Sequence, residues 1–144
     1  MSKKNLKILL DTSFLLPFLG FKTDDIVMNT LPILREYEIY YNDISILEAL
    51  WKIAKTVGKE EVFTVVSRGV DSLKRTFKHA DIDERAVAIA LKMYVLGHRD
   101  MIDNILYGIS VSREINLLTI DESLKMFIEG RGLRNTLIQP RELT

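Results

Sequence analysis

Residues 6–11, Leu-Lys-Ile-Leu-Leu-Asp, and residues 117–121, Leu-Leu-Thr-Ile-Asp, are two short apolar runs that each end at an aspartate. Runs of this length and composition are typical of strands that are buried on both faces. Between them, further strand-like runs alternate with longer segments of helical periodicity. This alternation predicts βαβ units, and therefore an α/β fold with a mainly parallel sheet that carries helices on both faces.

The periodicity of the apolar residues predicts the individual elements. The strands are residues 6–10, 39–41, 115–120 and 136–138, with residues 76–82 as a weak fifth candidate at an edge of the sheet. The helices are residues 12–19, 24–37, 45–57, 60–74, 83–96, 100–114 and 122–130. No repeat, low-complexity segment or long linker interrupts this pattern, so residues 1–144 are expected to form a single domain.

The composition excludes several classes of protein. The 144 residues include 20 Lys and Arg and 20 Asp and Glu, so the formal net charge is zero and bulk attraction to a polyanion is excluded. There is no cysteine, which excludes disulfides, zinc fingers and thiol catalysis and fits a reducing cytoplasm. No apolar run approaches the roughly 20 residues of a membrane span. We therefore expect a soluble cytoplasmic protein.

Asp11 and Asp121 directly follow two of the predicted strands. Ligands of open α/β sheets bind outside the carboxyl ends of the strands, which gives these positions functional weight. Each aspartate alone is equally well explained as a helix N-cap, because its carboxylate can accept free backbone N–H groups. Two acids at matching positions favour a site over two unrelated caps.

Three further acids begin predicted helices. Glu48 ends the sequence Ser45-Ile-Leu-Glu48, which matches a capping box but also borders the apolar stripe of its helix. Asp100 and Asp103 lie three residues apart at another helix start, where Asp100 is the better cap. Asp103 adjoins an apolar stripe and is expected to be partly buried, so its carboxylate needs a partner.

Four carboxylates in one cleft repel one another and would in part be protonated unless a cation joins them. Oxygen ligands alone favour Mg²⁺ or Mn²⁺ over zinc or copper. Such an ion keeps bound water that can attack a phosphodiester. Asp11, Glu48, Asp103 and Asp121 therefore suggest metal-dependent phosphodiester hydrolysis.

These motifs together resemble the PIN-domain ribonucleases, over residues 7–140. The residues that carry the resemblance are Asp11-Thr-Ser13, Glu48, Asp103-Asn-Ile-Leu106 and Leu117-Leu-Thr-Ile-Asp121, with an 18-residue step from Asp103 to Asp121. The resemblance implies a three-layer α/β/α sandwich with a sheet of about four to five strands. It also implies that the four acids hold Mg²⁺ or Mn²⁺, with Ser13 and Thr119 as polar supports and Asp100 as a fifth acid or simply a cap.

The resemblance further implies hydrolysis of single-stranded RNA by a metal-activated water. Many small members of the family are VapC-like toxins, which are dimeric and are held inactive by an antitoxin. A toxin role, an antitoxin partner and a homodimer or higher homo-oligomer are therefore expected for this chain. The alternative is a non-catalytic PIN-like module that binds RNA or protein without turnover.

Other features of the sequence are less specific. Lys52, Lys55, Arg131 and Arg134 fit solvated helix faces, or else flank the acidic cleft and hold the RNA backbone. Trp51 is expected in the core or in a dimer interface rather than as a base-stacking platform, and the apolar residues 14–19 are expected to contribute to a subunit interface. His79 and His98 are expected to be surface or interface residues.

A phosphoaspartyl enzyme would also place an aspartate after the first strand. Position 13 is Ser rather than a second Asp, which argues against that class. The glycine-rich motifs of dinucleotide sites and P-loops are missing as well.

Overall fold

A computed structural model describes residues 6–56 and 58–143, and its central feature is a five-stranded parallel sheet in the order β3-β2-β1-β4-β5. The strands are β1 (Lys7–Leu10), β2 (Glu38–Tyr41), β3 (Lys78–His79), β4 (Asn116–Leu118) and β5 (Leu137–Ile138). All four pairings are parallel, and the register sets Leu10 beside Leu118 in the two central strands. The expected parallel α/β sheet is confirmed.

Within the described residues, seven α-helices connect and cover these strands. They are α1 (Thr12–Leu15), α2 (Asp25–Thr30), α3 (Asp43–Thr56), α4 (Glu60–Thr76), α5 (Glu84–Leu96), α6 (Met101–Arg113) and α7 (Glu122–Gly130). Short 3-10 helices follow α1 (Leu16–Leu19), α2 (Leu31–Glu36) and β5 (Pro140–Leu143). Among the described helices, none has the length and apolar character that crossing a membrane requires.

The sheet separates two apolar layers, as the expected three-layer sandwich requires. Along β1, Ile8 and Leu10 belong to one buried cluster and Leu9 to the other, because successive side chains of a strand point to opposite faces. Phe14 and Leu15 of α1 join the first cluster, together with residues that follow α2. Helices α5, α6 and α7 cover the second face.

Two predicted helices are shorter in the structure because prolines interrupt them. The segment predicted as residues 12–19 is helical to Leu15 and then tightens into a 3-10 turn with Pro17 near its start. The segment predicted as residues 24–37 changes in the same way at Leu31 and Pro32. Proline lacks the N–H that the preceding α-turn would use, so the backbone changes to 3-10 geometry at these points.

The weak strand within residues 76–82 is present as the two-residue edge strand β3. Its neighbour β2 holds it through pairs of Tyr40 with Lys78 and Tyr41 with His79. Both residues of β3 are exposed, which explains why the sequence shows no apolar run there. His79 lies between Asp43 and Asp81, at 3.3 and 2.8 Å, and is a surface residue as expected.

The prediction of a capping box at Ser45 and Glu48 is wrong. Helix α3 begins at Asp43, and Asn42 Oδ1 accepts a hydrogen bond from the Ile44 N–H at 2.9 Å. Asn42 Nδ2 also donates to the Ala80 carbonyl at 2.8 Å, which ties the start of α3 to the segment after β3. Ser45 therefore lies within the first turn of the helix, where its hydroxyl is buried without a partner in the described part of the chain.

Of residues 14–19, which were expected at a subunit interface, three are buried inside the chain, and Leu16, Pro17 and Phe18 are half-buried. Phe14, Leu15 and Leu19 are 0% exposed and pack within the chain itself. This segment lies between the sheet and helix α4, where Gly69 approaches the Phe18 carbonyl. By contrast Trp51, expected in the core or an interface, is 56% exposed and is not a core residue of this chain.

Candidate active site

The carboxyl ends of β1 and β4 bring Asp11 and Asp121 to the same edge of the sheet. The two strands are neighbours, and the Asp11 N–H donates to the Leu118 carbonyl at 3.3 Å. Asp11 directly follows β1, whereas Asp121 follows β4 after a two-residue extension. The parallel topology thus places in one location two acids that are 110 positions apart.

Two helices complete a polar pocket of about 260 Å³ at this edge. Helix α3, which follows β2, contributes Glu48, and the start of α6 contributes Asp100 and Asp103. The lining residues are Asp11, Thr12, Ser13, Glu48, Lys52, Asp100, Asp103, Ile120 and Asp121. The structure therefore brings together all four acids of the predicted quartet, with Ser13 and Asp100 beside them.

Three of these acids also cap helices. Asp11 Oδ1 accepts the Ser13 N–H at 3.0 Å, Asp100 Oδ1 accepts the Asp103 N–H at 3.1 Å, and Asp121 Oδ1 accepts the Leu124 N–H at 3.1 Å. The sequence left a cap and a site as alternatives, and in the structure the same residues cap helices and also line the pocket. Each cap fixes one carboxylate oxygen and leaves the second free for another interaction.

The buried hydroxyl of Thr119 connects two of the acids. Thr119 Oγ1 accepts a hydrogen bond from the Asp121 N–H at 3.0 Å, and the same hydroxyl is hydrogen-bonded to the Asp11 carboxylate. Because Asp11 is acceptor-only when ionised, the Thr119 hydroxyl is the donor of that bond. Thr119 supports the orientation of Asp11 and of the turn that leads to Asp121.

Burial raises the pKa of Asp11 to about 6, against an ordinary value of 3.8. Hydrogen bonds from Thr119 and from the Ser13 and Phe14 N–H groups act in the opposite direction, and the charge of Asp121 adds a smaller upward contribution. Loss of hydration therefore outweighs the hydrogen bonds that stabilise this carboxylate.

Burial also raises the pKa of Asp103, to about 8, and the negative charge of Asp100 is the next largest cause. A hydrogen bond with Asp121 and the charges of Asp121 and Asp11 act in the same direction. Without a cation, Asp103 therefore keeps its proton near neutral pH and shares it with Asp121. The high pKa thus reflects first the loss of hydration around Asp103 and second the negative charges of the neighbouring acids.

The pocket suits a hard divalent cation in its chemistry. Its donors are carboxylate and hydroxyl oxygens, which Mg²⁺ and Mn²⁺ prefer. The Thr12 hydroxyl, on a lining residue, is buried without a hydrogen-bond partner among the described residues. In the same part of the chain, no three Asp, Glu or His side chains are already arranged to hold an ion. An ion in this pocket would thus require deprotonation of Asp103 and movement of the carboxylates toward one another.

The predicted RNA-binding residues are not equivalent. Lys52 lies one helical turn beyond Glu48 and lines the pocket, whereas Lys55 lies another turn outward and is exposed. Arg131 does not line the pocket; it donates to the Leu96 carbonyl at 2.9 Å and lies over the Phe127 ring. Arg134 lies 3.8 Å from Glu114, at the opposite end of α6 from Asp103.

Two features of the site were not identified from the sequence. Thr12 lines the pocket, and the sequence feature that could have identified it is its position between Asp11 and Ser13. His98 was expected at a surface or interface, but it is partly buried and its ring packs 5.1 Å from the ring of Phe127. Its hydrogen bonds join it to Asn104, the residue after Asp103.

Several solved structures share this fold. FitAcB from Neisseria gonorrhoeae is 16% identical over 93% of this chain and 98% of that one, with a TM-score of 0.66. A toxin–antitoxin complex from Klebsiella pneumoniae is 14% identical over 92% and 97%, with a TM-score of 0.64. DNA-bound VapBC from Salmonella typhimurium is 17% identical over 94% and 98%, with a TM-score of 0.63. At these identities the likeness establishes the fold.

A comparison with curated protein sequences gives no significant match. The sequence model of the PIN domain family, however, matches residues 8–127, which include every acid of the pocket. The chain therefore belongs to the PIN domain family.

Proposed function

We propose that this protein is a divalent-metal-dependent endoribonuclease that hydrolyses phosphodiester bonds of single-stranded RNA. The observation that carries the proposal is the convergence of Asp11, Glu48, Asp103 and Asp121 on one polar pocket. Membership of a family whose members are generally nucleases supports it. Raised pKa values in a cleft are typical of functional carboxylates.

In this proposal the four acids hold Mg²⁺ or Mn²⁺, which when bound would supply a water of lowered pKa and charge stabilisation at the phosphate. The chain's own residues prepare the site. Thr119 holds Asp11 in orientation, and Asp103 gives up its proton when the cation enters. Lys52 at the rim contributes a positive charge that would hold a backbone phosphate next to the acids.

We further propose that the protein is the toxin of a toxin–antitoxin pair and acts in the cytoplasm, with an antitoxin as partner. The structures of similar fold include a toxin–antitoxin complex, and the lack of cysteine fits a reducing compartment. Co-expression with the product of the adjoining reading frame tests this role. The expected result is that the toxic effect of the chain disappears and a stable complex co-purifies. No toxicity and no complex would reject it.

We also propose that the chain forms a homodimer. Two helices present exposed apolar stripes at helical spacing, Leu47, Leu50 and Trp51 on α3 and Val87, Leu91, Tyr94 and Val95 on α5. Monomeric proteins rarely leave such stripes in contact with water, so a second copy is the occupant we expect.

The nuclease proposal is tested with unstructured RNA and Mn²⁺. Wild type should cleave the RNA, and the Asp11→Asn variant, of almost unchanged shape, should lose at least about a hundredfold in rate. Single-stranded DNA of the same sequence and an EDTA-treated sample serve as controls. Circular dichroism confirms that the variant is folded. Equal rates for wild type and Asp11→Asn, with no Mn²⁺ bound to either, would reject the proposal.

A non-catalytic binding module is the second candidate. The observation that favours it is that no three acids of the described chain are already arranged to hold an ion. This candidate predicts RNA or protein binding without cleavage and without dependence on Mn²⁺. The cost of keeping mutually repelling acids together, visible in the raised pKa of Asp103, argues against it.

A further inference from the structure

The side chain of Asn104 is completely buried and bonds to a single residue. Its Nδ2 donates to the His98 carbonyl at 2.7 Å, and its Oδ1 lies 2.7 Å from His98 Nδ1. Its backbone N–H donates to the Asp100 carbonyl at 3.0 Å. Asn104 therefore holds both ends of the segment between α5 and α6, directly beside Asp103.

The two side-chain hydrogen bonds of Asn104 determine that Nδ1 of the His98 ring carries a hydrogen. Because a carbonyl oxygen can only accept, the Asn104 amide must present its NH₂ to the His98 carbonyl and its oxygen to the ring. His98 Nδ1 must then carry a hydrogen and donate it. Both the neutral Nδ1–H form and the protonated imidazole meet this requirement, so the bond does not depend on the charge of the ring.

The same segment is attached to α7, the helix that Asp121 caps. The His98 ring packs against Phe127 with centroids 5.1 Å apart, and Arg131 donates to the Leu96 carbonyl at 2.9 Å. Gly97 makes the turn possible with a φ of 117°, a conformation that residues with a Cβ rarely adopt. The contacts of this segment thus join the start of α6 to the body of α7.

We infer that Asn104 and His98 are positioning residues that set how closely Asp103 approaches Asp121. The inference rests on the proposed metal-dependent function, because its consequence is a pre-set spacing of two metal-binding carboxylates. Asn104 and His98 touch neither substrate nor ion, and act only through the backbone that carries Asp100 and Asp103. Hydrogen-bonded supports of this kind typically change metal affinity by about 10- to 100-fold when removed.

The decisive variant is Asn104→Leu, which keeps the branched outline of the side chain but removes both bonds. Its affinity for Mn²⁺, measured by calorimetry on the folded protein, should fall about tenfold. Ser110→Ala is the matched control. Ser110 lies on the same helix as Asp103, two turns further along, and the substitution removes its buried 2.6 Å hydrogen bond with Thr136. It should lower the melting temperature while leaving Mn²⁺ affinity at the wild-type value.

Two His98 variants separate the hydrogen bond from the ring contact. His98→Phe keeps a ring against Phe127 and loses the donor, whereas His98→Asn keeps a donor near the position of Nδ1 and loses the ring. The positioning role predicts weakened Mn²⁺ binding for His98→Phe and near wild-type binding for His98→Asn. These variants also test the inference if Asn104→Leu does not fold. Equal Mn²⁺ affinity for wild type, Asn104→Leu and His98→Phe would overturn it.

Amide hydrogen exchange gives a readout that needs no metal. Exchange of the Asp103 and Asn104 N–H groups should accelerate in Asn104→Leu and His98→Phe, and should stay unchanged in Ser110→Ala. If wild type binds no Mn²⁺, the proposed function fails, and these rates alone then decide whether the pair holds the start of α6. Unchanged exchange in Asn104→Leu would reject the positioning role.

Discussion

At the scale of single residues, three acids of the pocket cap helices, and the proposed metal site would give them a second task that usually competes with capping. A cap needs a carboxylate oriented toward free N–H groups, and a metal site needs oxygens directed toward one point. Asp11 and Asp121 satisfy their caps with one oxygen each, and their carboxylates also take part in hydrogen bonds with Thr119 and Asp103 at the pocket. The cost is repulsion, which burial and the charge of Asp100 make largest at Asp103.

This repulsion predicts how the metal-free protein responds to pH. The pKa of Asp103 is about 8 in the fold and 3.8 ordinarily, so the folded state binds a proton more tightly than the unfolded chain. The stability that the protonated Asp103 contributes is complete below pH 4 and is lost as pH rises through about 8. The corresponding contribution of Asp11 is lost as pH rises through about 6. Stability in EDTA should therefore decrease from pH 5 to pH 8.

Asp103→Asn tests the origin of this pH dependence. The substitution removes the charge but keeps the shape, so it should raise the free energy of unfolding at pH 8 by roughly 2 kcal/mol and change it little at pH 5. Urea unfolding in EDTA at both pH values is the measurement. Glu129→Gln on the exposed face of α7 is the charge-matched control and should be neutral. A pH profile of Asp103→Asn parallel to wild type would contradict the prediction.

At the scale of elements, helix starts determine where the site residues point. Helix α3 begins one turn earlier than its sequence motif indicates, because Asn42 caps it and also bonds to the Ala80 carbonyl. The start of the helix is thus fixed by a long-range contact with the end of β3. Glu48 faces the pocket from a position more than one turn inside the helix.

Asn42 and Ser45 provide a matched test of this assignment. Asn42→Ala should lower the free energy of unfolding by about 2 kcal/mol, because it removes the cap and leaves a buried carbonyl unpaired. Ser45→Ala should change it by less than about 0.5 kcal/mol, because that hydroxyl makes no described bond. Denaturant unfolding of both variants is the measurement. The reverse ranking would restore Ser45 as the cap.

The packing of α5 on α6 depends on Gly108. A Cβ at this position would lie 2.5 Å from the Ala86 carbonyl oxygen, so the helix backbones could not approach as they do. Gly108→Ala should therefore destabilise the fold by about 1–3 kcal/mol despite the better helix propensity of alanine. Gly130→Ala, where a Cβ meets no atom within 4 Å, is the control. Thermal unfolding showing equal melting temperatures would contradict the close approach.

At the scale of the whole molecule, zero net charge is a sum over two unlike regions. The pocket gathers five acids and one lysine, so the rest of the chain carries a formal excess of basic residues. Binding of one divalent cation would offset two of the negative charges in the pocket, and the exterior would stay mildly basic. A polyanion such as RNA can approach such a surface although the chain as a whole is neutral.

The exposed apolar stripes of α3 and α5 predict the oligomeric state. Wild type should sediment as a dimer at micromolar concentration, because burial of these stripes removes apolar surface from water. A Leu50→Lys and Trp51→Glu double variant should sediment as a monomer with an unchanged far-ultraviolet dichroism spectrum. Met126→Lys, at an even more exposed apolar residue but on α7, is the control and should remain dimeric. A monomeric wild type would contradict the prediction.

The sequence by itself determined the layers and the location of the site. Buried strands must be apolar on both faces and helices must be amphipathic, so the alternation predicted a parallel sheet covered by helices. Polar residues directly after such strands lie at the carboxyl edge in any parallel sheet. Asp11 and Asp121 were therefore identifiable before their distance was known.

Only the tertiary structure decided features that depend on long-range contacts. The cap of α3 uses the Ala80 carbonyl, β3 exists because β2 holds it, and Leu19 is buried because α4 packs on the 3-10 turn that carries it. None of these contacts leaves a periodic trace in the sequence. The contact between Asn104 and His98 is likewise set by how α5, α6 and α7 meet, since a six-residue separation alone defines no hydrogen bond.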